Sequence, residues 1–219
     1  MVLHVVALDL AAGALLAAAW YLWFLRWNRS KGKKILGWIE QAFANHGQIA
    51  GVRWEKPACF HVRLRLTSTM FQNASLIVRL FPRQTFFGWL LSRTRHQRET
   101  LTFQADLDAA PSFNLEVHNH RWWENKLRRA PAKTQAWNLQ QAGPFVLTTR
   151  NDWQREVTAM MSALVASREC DCLSVSIRRT PPHFSATVPL ATLAPDSPAH
   201  AAIFDVLREL ASGASTARF

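Results

Sequence analysis

Residues 2–25, VLHVVALDLAAGALLAAAWYLWFL, are apolar apart from His4 and Asp9. No other feature restricts the chain so strongly. At 1.5 Å per residue, about 21 helical residues cover roughly 31 Å, the thickness of a bilayer's hydrocarbon core. Trp20, Tyr21, Trp23 and Trp27 gather at the far end of the run, where an interfacial aromatic belt belongs. Arg26, Arg29, Lys31, Lys33 and Lys34 follow at once. By the positive-inside rule, that density of positive charge holds its side of the membrane in the cytoplasm. The rival reading is a cleaved signal peptide, with Ala17, Ala18 and Ala19 as the cleavage site. It lacks a basic segment ahead of the apolar run, and the run continues past the alanines. Asp9, close to the outer end, is read as snorkelling to that surface.

The expected organisation is therefore a single transmembrane anchor at 1–27, a basic juxtamembrane linker at 28–34, and a cytoplasmic α+β domain at 35–215. The N-terminus is outside an inner or plasma membrane. The sequence leaves open whether this domain is one sheet or two lobes divided near 130–143. In the domain, 59–66, 75–81, 100–107 and 113–118 alternate apolar and polar residues with period two. That pattern predicts an antiparallel sheet with one dry and one wet face. Residues 144–150 read as a further strand. LSVSIRR and HFSATVPL read as a hairpin turning at Thr180, Pro181 and Pro182. About three helices pack with the sheet. Ile35, Ile39, Ala42 and Phe43 recur at helical spacing up to Gly47, a C-cap candidate. Asn151 caps a second helix with an apolar stripe from Trp153 to Val165. Ser197 and Pro198 open a third, which carries Ile203, Phe204, Leu207 and Leu210 and ends at Gly213.

The formal net charge is +11, and it is unevenly placed. Residues 26–133 hold 19 Lys/Arg against 7 Asp/Glu, whereas 134–219 hold 7 of each. Such asymmetry points to an anionic partner. Arg63, Arg65 and Arg79 are expected on the wet sheet face. Arg83, Arg93, Arg95 and Arg98, with Arg121, Lys126, Arg128 and Arg129, lie in the connections. A tethered domain gains about 1 kcal/mol for each Lys or Arg brought near an anionic leaflet. These residues, the five basic residues of 26–34, and Trp89 are the candidate lipid or anion contacts.

TFFGWLLSRTRHQR, residues 85–98, supports two readings. In the first, Phe86, Phe87, Leu90 and Leu91 form a helical turn that covers the dry face of the sheet. In the second, Phe86, Phe87 and Trp89 dip into the leaflet, with Arg83, Arg93 and Arg95 on its headgroups.

Common catalytic motifs are absent: the eight glycines form no G-x-G fingerprint, no G-x-x-x-x-G-K-[ST] P-loop and no G-x-S-x-G elbow, and no H-E-x-x-H occurs, which argues against common NTPases, Rossmann enzymes and serine hydrolases though not against every enzyme. Cys59, Cys170 and Cys172 make no disulfide framework, and Cys170 and Cys172 read as a turn. Glu116, His118 and His120 alternate along one strand face as weak metal candidates, and Asp106, Asp108 and His183 read as turn residues. No cofactor or metal is expected.

Three functions follow. The first is a membrane-anchored cytoplasmic binding or scaffolding module whose basic half faces anionic lipid, with 134–219 left for a protein partner. The second is a tethered enzyme acting on an anionic lipid or phosphorylated substrate, near Arg63, Arg65, His118 and His120. Nucleic-acid binding, with Trp122 and Trp123 as stacking platforms, comes third, because no RNP or KH motif accompanies the charge. The sequence specifies neither a reaction nor an oligomeric state.

Overall fold

The structure is a computed structural model that describes residues 2–95, 97–111, 114–119, 138–142, 145–149, 173–193 and 199–215. Its first element, α1, runs without interruption from Val2 to Phe43. The expected linker at 28–34 is part of this helix. Lysine and arginine are good helix formers, no proline precedes Pro57, and Gly32 alone costs about 1 kcal/mol, too little to stop a helix already propagating. The helix ends in a turn in which His46 N–H donates to the Phe43 carbonyl at 2.9 Å. Gly47 opens the next strand rather than capping the helix; a Cβ there would collide with the backbone of Arg65.

Among the described residues, nine antiparallel strands form one sheet: β1 (Gly47–Lys56), β2 (Cys59–Leu66), β3 (Phe71–Arg79), β4 (Thr100–Leu107), β5 (Leu115–Asn119), β6 (Asn138–Ala142), β7 (Phe145–Thr149), β8 (Ser174–Ile177) and β9 (Phe184–Pro189). Their order is β1-β2-β3-β4-β9-β8-β5-β7-β6. Helix α2 (Phe86–Thr94) joins β3 to β4, and α3 (Ala199–Ser215) closes the described chain. The class is α+β, with a long apolar N-terminal helix ahead of an antiparallel sheet. Strands on either side of the candidate boundary near 130–143 pair into this one sheet. The helix expected from Asn151 lies outside the described residues.

The dry face is the one the alternation indicated. Phe60, Val62, Leu76, Val78, Leu101, Phe103, Leu115, Val117, Val175, Ile177, Phe184 and Ala186 are all buried. Among the described residues, two helices cover it. From α1 come Trp38, Ile39 and Phe43, and from α3 come Phe204, Leu207, Leu210 and Ala211. Phe43 meets Phe204 edge-on at 5.4 Å, and Phe71 meets Phe103 likewise at 5.3 Å. Higher up α1, Gly32 lets the helix close on the sheet, since a Cβ there would lie 2.7 Å from the Trp54 ring.

Both edge strands were missed in the sequence. In β1 the register shifts between Ile49 and Gly51, and again between Trp54 and Lys56, which breaks the alternation. β6, NLQQA, has no β-branched or aromatic residue. β3 begins before the expected residue 75, because a register shift between Gln72 and Ser75 places Asn73 at φ 48°, a left-handed conformation that asparagine tolerates.

The second half of α1 is thus a core element of the domain. Ile39 is 0% exposed. Ile39→Ala should cost about 2–5 kcal/mol, whereas Glu40→Ala on the exposed side should cost under about 0.5 kcal/mol. Denaturant unfolding of the detergent-solubilised chain measures both. An unchanged Ile39→Ala variant would show that this part of the helix is not core.

Candidate membrane-facing site

α1 passes the start of α2 before it reaches the sheet, and the two are tied by specific bonds. Trp20 Nε1–H donates to the Arg83 carbonyl at 3.1 Å. The Trp20 ring lies 4.6 Å from Phe24 and 6.1 Å from Phe86. Two turns on, Asn28 is fully buried and donates through Nδ2 to the Phe81 carbonyl at 3.3 Å and to Gln84 Oε1 at 3.2 Å. The third tie is ionic. Glu99 accepts from Lys31 Nζ, lies 3.6 Å from Arg83, and receives the Phe81 N–H at 3.4 Å. Arg83 also stacks over Trp27 at 4.2 Å. The helix is therefore bolted along one side to the β3–α2–β4 connection.

This arrangement divides the sequence candidates. Lys31 and Arg83 face Glu99 and hold the junction together. Arg26, Lys33 and Lys34 are exposed on α1, and Arg29, also exposed, lies 5.9 Å over the Trp54 ring. Arg93, Arg95 and Arg98 are exposed at and beyond the end of α2, and Arg79 is exposed at the end of β3 beside them. A basic residue in the last turn of α2 complements its dipole. Arg63 and Arg65 lie elsewhere. They face Ser75 and Gln48 on the wet sheet face. Arg65 is six residues along β2 from Cys59, about 20 Å at 3.3 Å per residue.

Of the two readings of 85–98, the core reading is overturned. α2 does not cover the dry face, which α1 and α3 occupy. Phe86, Phe87, Leu90 and Leu91 are 52%, 82%, 43% and 48% exposed. Ser92 is the buried residue of α2, and Trp89 is half-buried with Arg93 5.7 Å over its ring.

Arg63 and Arg65 border an open concavity of about 1010 Å³ on the wet face, lined also by Arg53, Glu55 and His61 with Asn73 and Ser75. His61 Nε2 lies 3.2 Å from Glu55. Glu55, Cys59 and His61 have ligand atoms within 4.8 Å of one another, a grouping that the sequence reading missed because a β-bulge at 54–56 brings Glu55 round. Burial pushes the Cys59 thiol above its ordinary range, against the opposing pull of the Arg79 guanidinium. Of the sequence's own metal candidates, Glu116 is the one whose side chain is described. Glu116 pairs with Arg178 at 2.8 Å, and the side chain of His118 and the whole of His120 lie outside the described residues, as do Arg121, Trp122, Trp123, Lys126, Arg128, Arg129, Cys170 and Cys172. Asp106 and Asp108 accept from Asn73 and Gln72, each at 3.0 Å, and His183 Nδ1 accepts the Leu107 N–H at 3.2 Å. All three hold turns.

Glu99 and Asn28 were not identified as site residues in the sequence. The signal was there: Glu99 is the one acidic residue between Glu55 and Asp106, and Asn28 is an uncharged side chain among basic ones.

Among the described residues, α1 is the helix long and apolar enough to cross a membrane. Its most apolar 18-residue window has a mean hydropathy of 1.9 and is wholly unburied. The class that emerges is an α+β domain continuous with such a helix. No protein-family model matches the chain. No curated protein matches it either. Among solved structures it is similar to the mycobacterial trehalose monomycolate transport factor A, TtfA, with 10% sequence identity, a TM-score of 0.38 and 70% of each chain covered. Similarity at that level carries no argument about what this chain does.

If Glu99 holds the junction, Glu99→Gln should lower stability by about 1–3 kcal/mol, because two partly buried cations lose their counter-charge. Arg65→Gln, on the open face, should change it by under about 0.5 kcal/mol. Paired unfolding curves test the difference. Equal effects would remove Glu99 from this role.

Proposed function

We propose that the chain is a single-pass membrane-anchored binding module, with its N-terminus outside and its domain in the cytoplasm, where the basic end of the domain meets anionic lipid headgroups. The observation that supports this most is the continuity of α1. Its wholly unburied apolar half, its basic turn and its core half are one helix, so a bilayer around the first half brings Arg26, Arg79, Arg93, Arg95 and Arg98 close to one leaflet. The remaining surface, including 134–219, is then available to a protein partner.

A membrane-tethered enzyme for an anionic lipid or phosphorylated substrate is the second reading, and the concavity bordered by Arg63, Arg65, His61 and Glu55 supports it. The binding module is preferred because that concavity is open rather than enclosed.

A reporter active only in the cytoplasm, fused after Phe219, should be active, and one active only after export should be silent. The reverse would contradict the topology. In the reconstituted chain, Arg79, Arg93 and Arg95 should react more slowly with an arginine-specific reagent in anionic than in neutral bilayers. Salt should abolish the difference as the Debye length falls to about 3 Å near 1 M. Equal reactivity in both bilayers would contradict the headgroup contact.

A further inference from the structure

We infer that α2 is a second membrane contact, an interfacial helix whose apolar face enters the same leaflet that α1 crosses. The inference deepens the proposed function and rests on its anchored helix. Four large apolar side chains, Phe86, Phe87, Leu90 and Leu91, are exposed on a helix of nine residues. At 100° per residue, positions i, i+1, i+4 and i+5 fall within about 140° of the helix circumference, one continuous face. No described element of the fold covers that face, since the dry side of the sheet is filled by α1 and α3.

The level of α2 along α1 identifies its occupant. The hydrogen bond from Trp20 to the Arg83 carbonyl and the ring contact from Trp20 to Phe86 place the start of α2 beside Trp20. Trp20 precedes Arg26, the first basic residue, by six residues, about 9 Å of helix rise. A bilayer that takes up residues 2–25 as far as their aromatic belt therefore reaches α2 as well. Its charge suits that depth. No acidic residue occurs from Lys56 to Arg98, and Arg93, Arg95 and Arg98 follow the apolar residues toward the headgroup side. An apolar face with flanking arginines is what an in-plane interfacial helix requires. A soluble partner or a second copy of the chain would have to cover the same side chains while the membrane occupied the adjoining surface of α1.

The consequence is mechanical. One helix crossing a bilayer leaves its domain able to spin about the helix axis. A second contact, fixed to the first through Trp20, Asn28 and Glu99, stops that rotation and presents one aspect of the sheet to the cytoplasm.

The test uses the full chain reconstituted in vesicles of phosphatidylcholine and phosphatidylglycerol containing a phospholipid with a photoactivatable diazirine on its acyl chain. Covalent adducts are mapped by peptide mass spectrometry. Adducts are expected on 86–91 as well as on α1 before Arg26, with none on β2. Phe87→Ser, at the most exposed position, should reduce the yield on 86–91 and leave that on α1 unchanged. Adducts on α1 without any on 86–91 would overturn the second contact and leave the anchor standing; coverage of α2 by another copy or another protein gives this same result. Absence of adducts from α1 too would overturn the anchor and the second contact together.

Discussion

The structure depends on the unbroken hydrogen-bond ladder of α1. Its 42 residues extend about 63 Å, roughly twice the hydrocarbon core of a bilayer. The first part is exposed and meets the domain only from Trp20 onward, whereas the last part fills the middle of the domain through Trp38, Ile39 and Phe43. A flexible linker would let anchor and domain fold and move independently. A continuous helix does not, because bending it sharply means breaking backbone hydrogen bonds, and no proline or π-bulge relieves it. The sheet is consequently mounted on the apolar helix at a set angle. Trp20, Asn28 and the Lys31–Glu99–Arg83 group maintain that angle from the side.

This mount gives the positive charge two separate tasks. Lys31 and Arg83 sit against Glu99 in a partly buried setting, where removing one partner strands the others. Other cations are exposed: Arg26, Arg29, Lys33 and Lys34 on α1, Arg93, Arg95 and Arg98 at and beyond the end of α2, and Arg53, Arg63 and Arg65 around the concavity of the wet face. Net charge alone does not distinguish these tasks, although it supports solubility and long-range attraction to anions. Position relative to α1 does distinguish them.

Much of the fold was legible because the dry face is so regular. The alternation in FHVRLRL and LTFQADL gave β2 and β4 with their correct boundaries, and the stripe Phe204, Leu207, Leu210 gave the buried side of α3. The edge strands were illegible for the opposite reason: β1 is twice bulged and β6 is polar. The basic segment 28–34 reads as a linker to anyone who sees only charge; nothing local reveals that α1 continues through it to reach the core. The site was half legible. The aromatic belt and the apolar loop at 85–91 were visible, but whether that loop faced the sheet or the outside depended on α1 and α3 having already covered the dry face, a tertiary fact. Glu99 was passed over because its partners are 68 and 16 residues away in sequence, at Lys31 and Arg83.

An unbroken α1 requires its apolar half and the domain to move as one rigid body. A pulsed electron-paramagnetic-resonance distance between spin labels encoded at Leu16, on the unburied part of α1, and Arg63, on the wet face of β2, tests it in lipid nanodiscs. An unbroken and laterally bolted helix predicts a single narrow distance distribution that stays the same at every salt concentration. A broad or multimodal distribution would mean that the basic segment acts as a hinge, and would contradict the account.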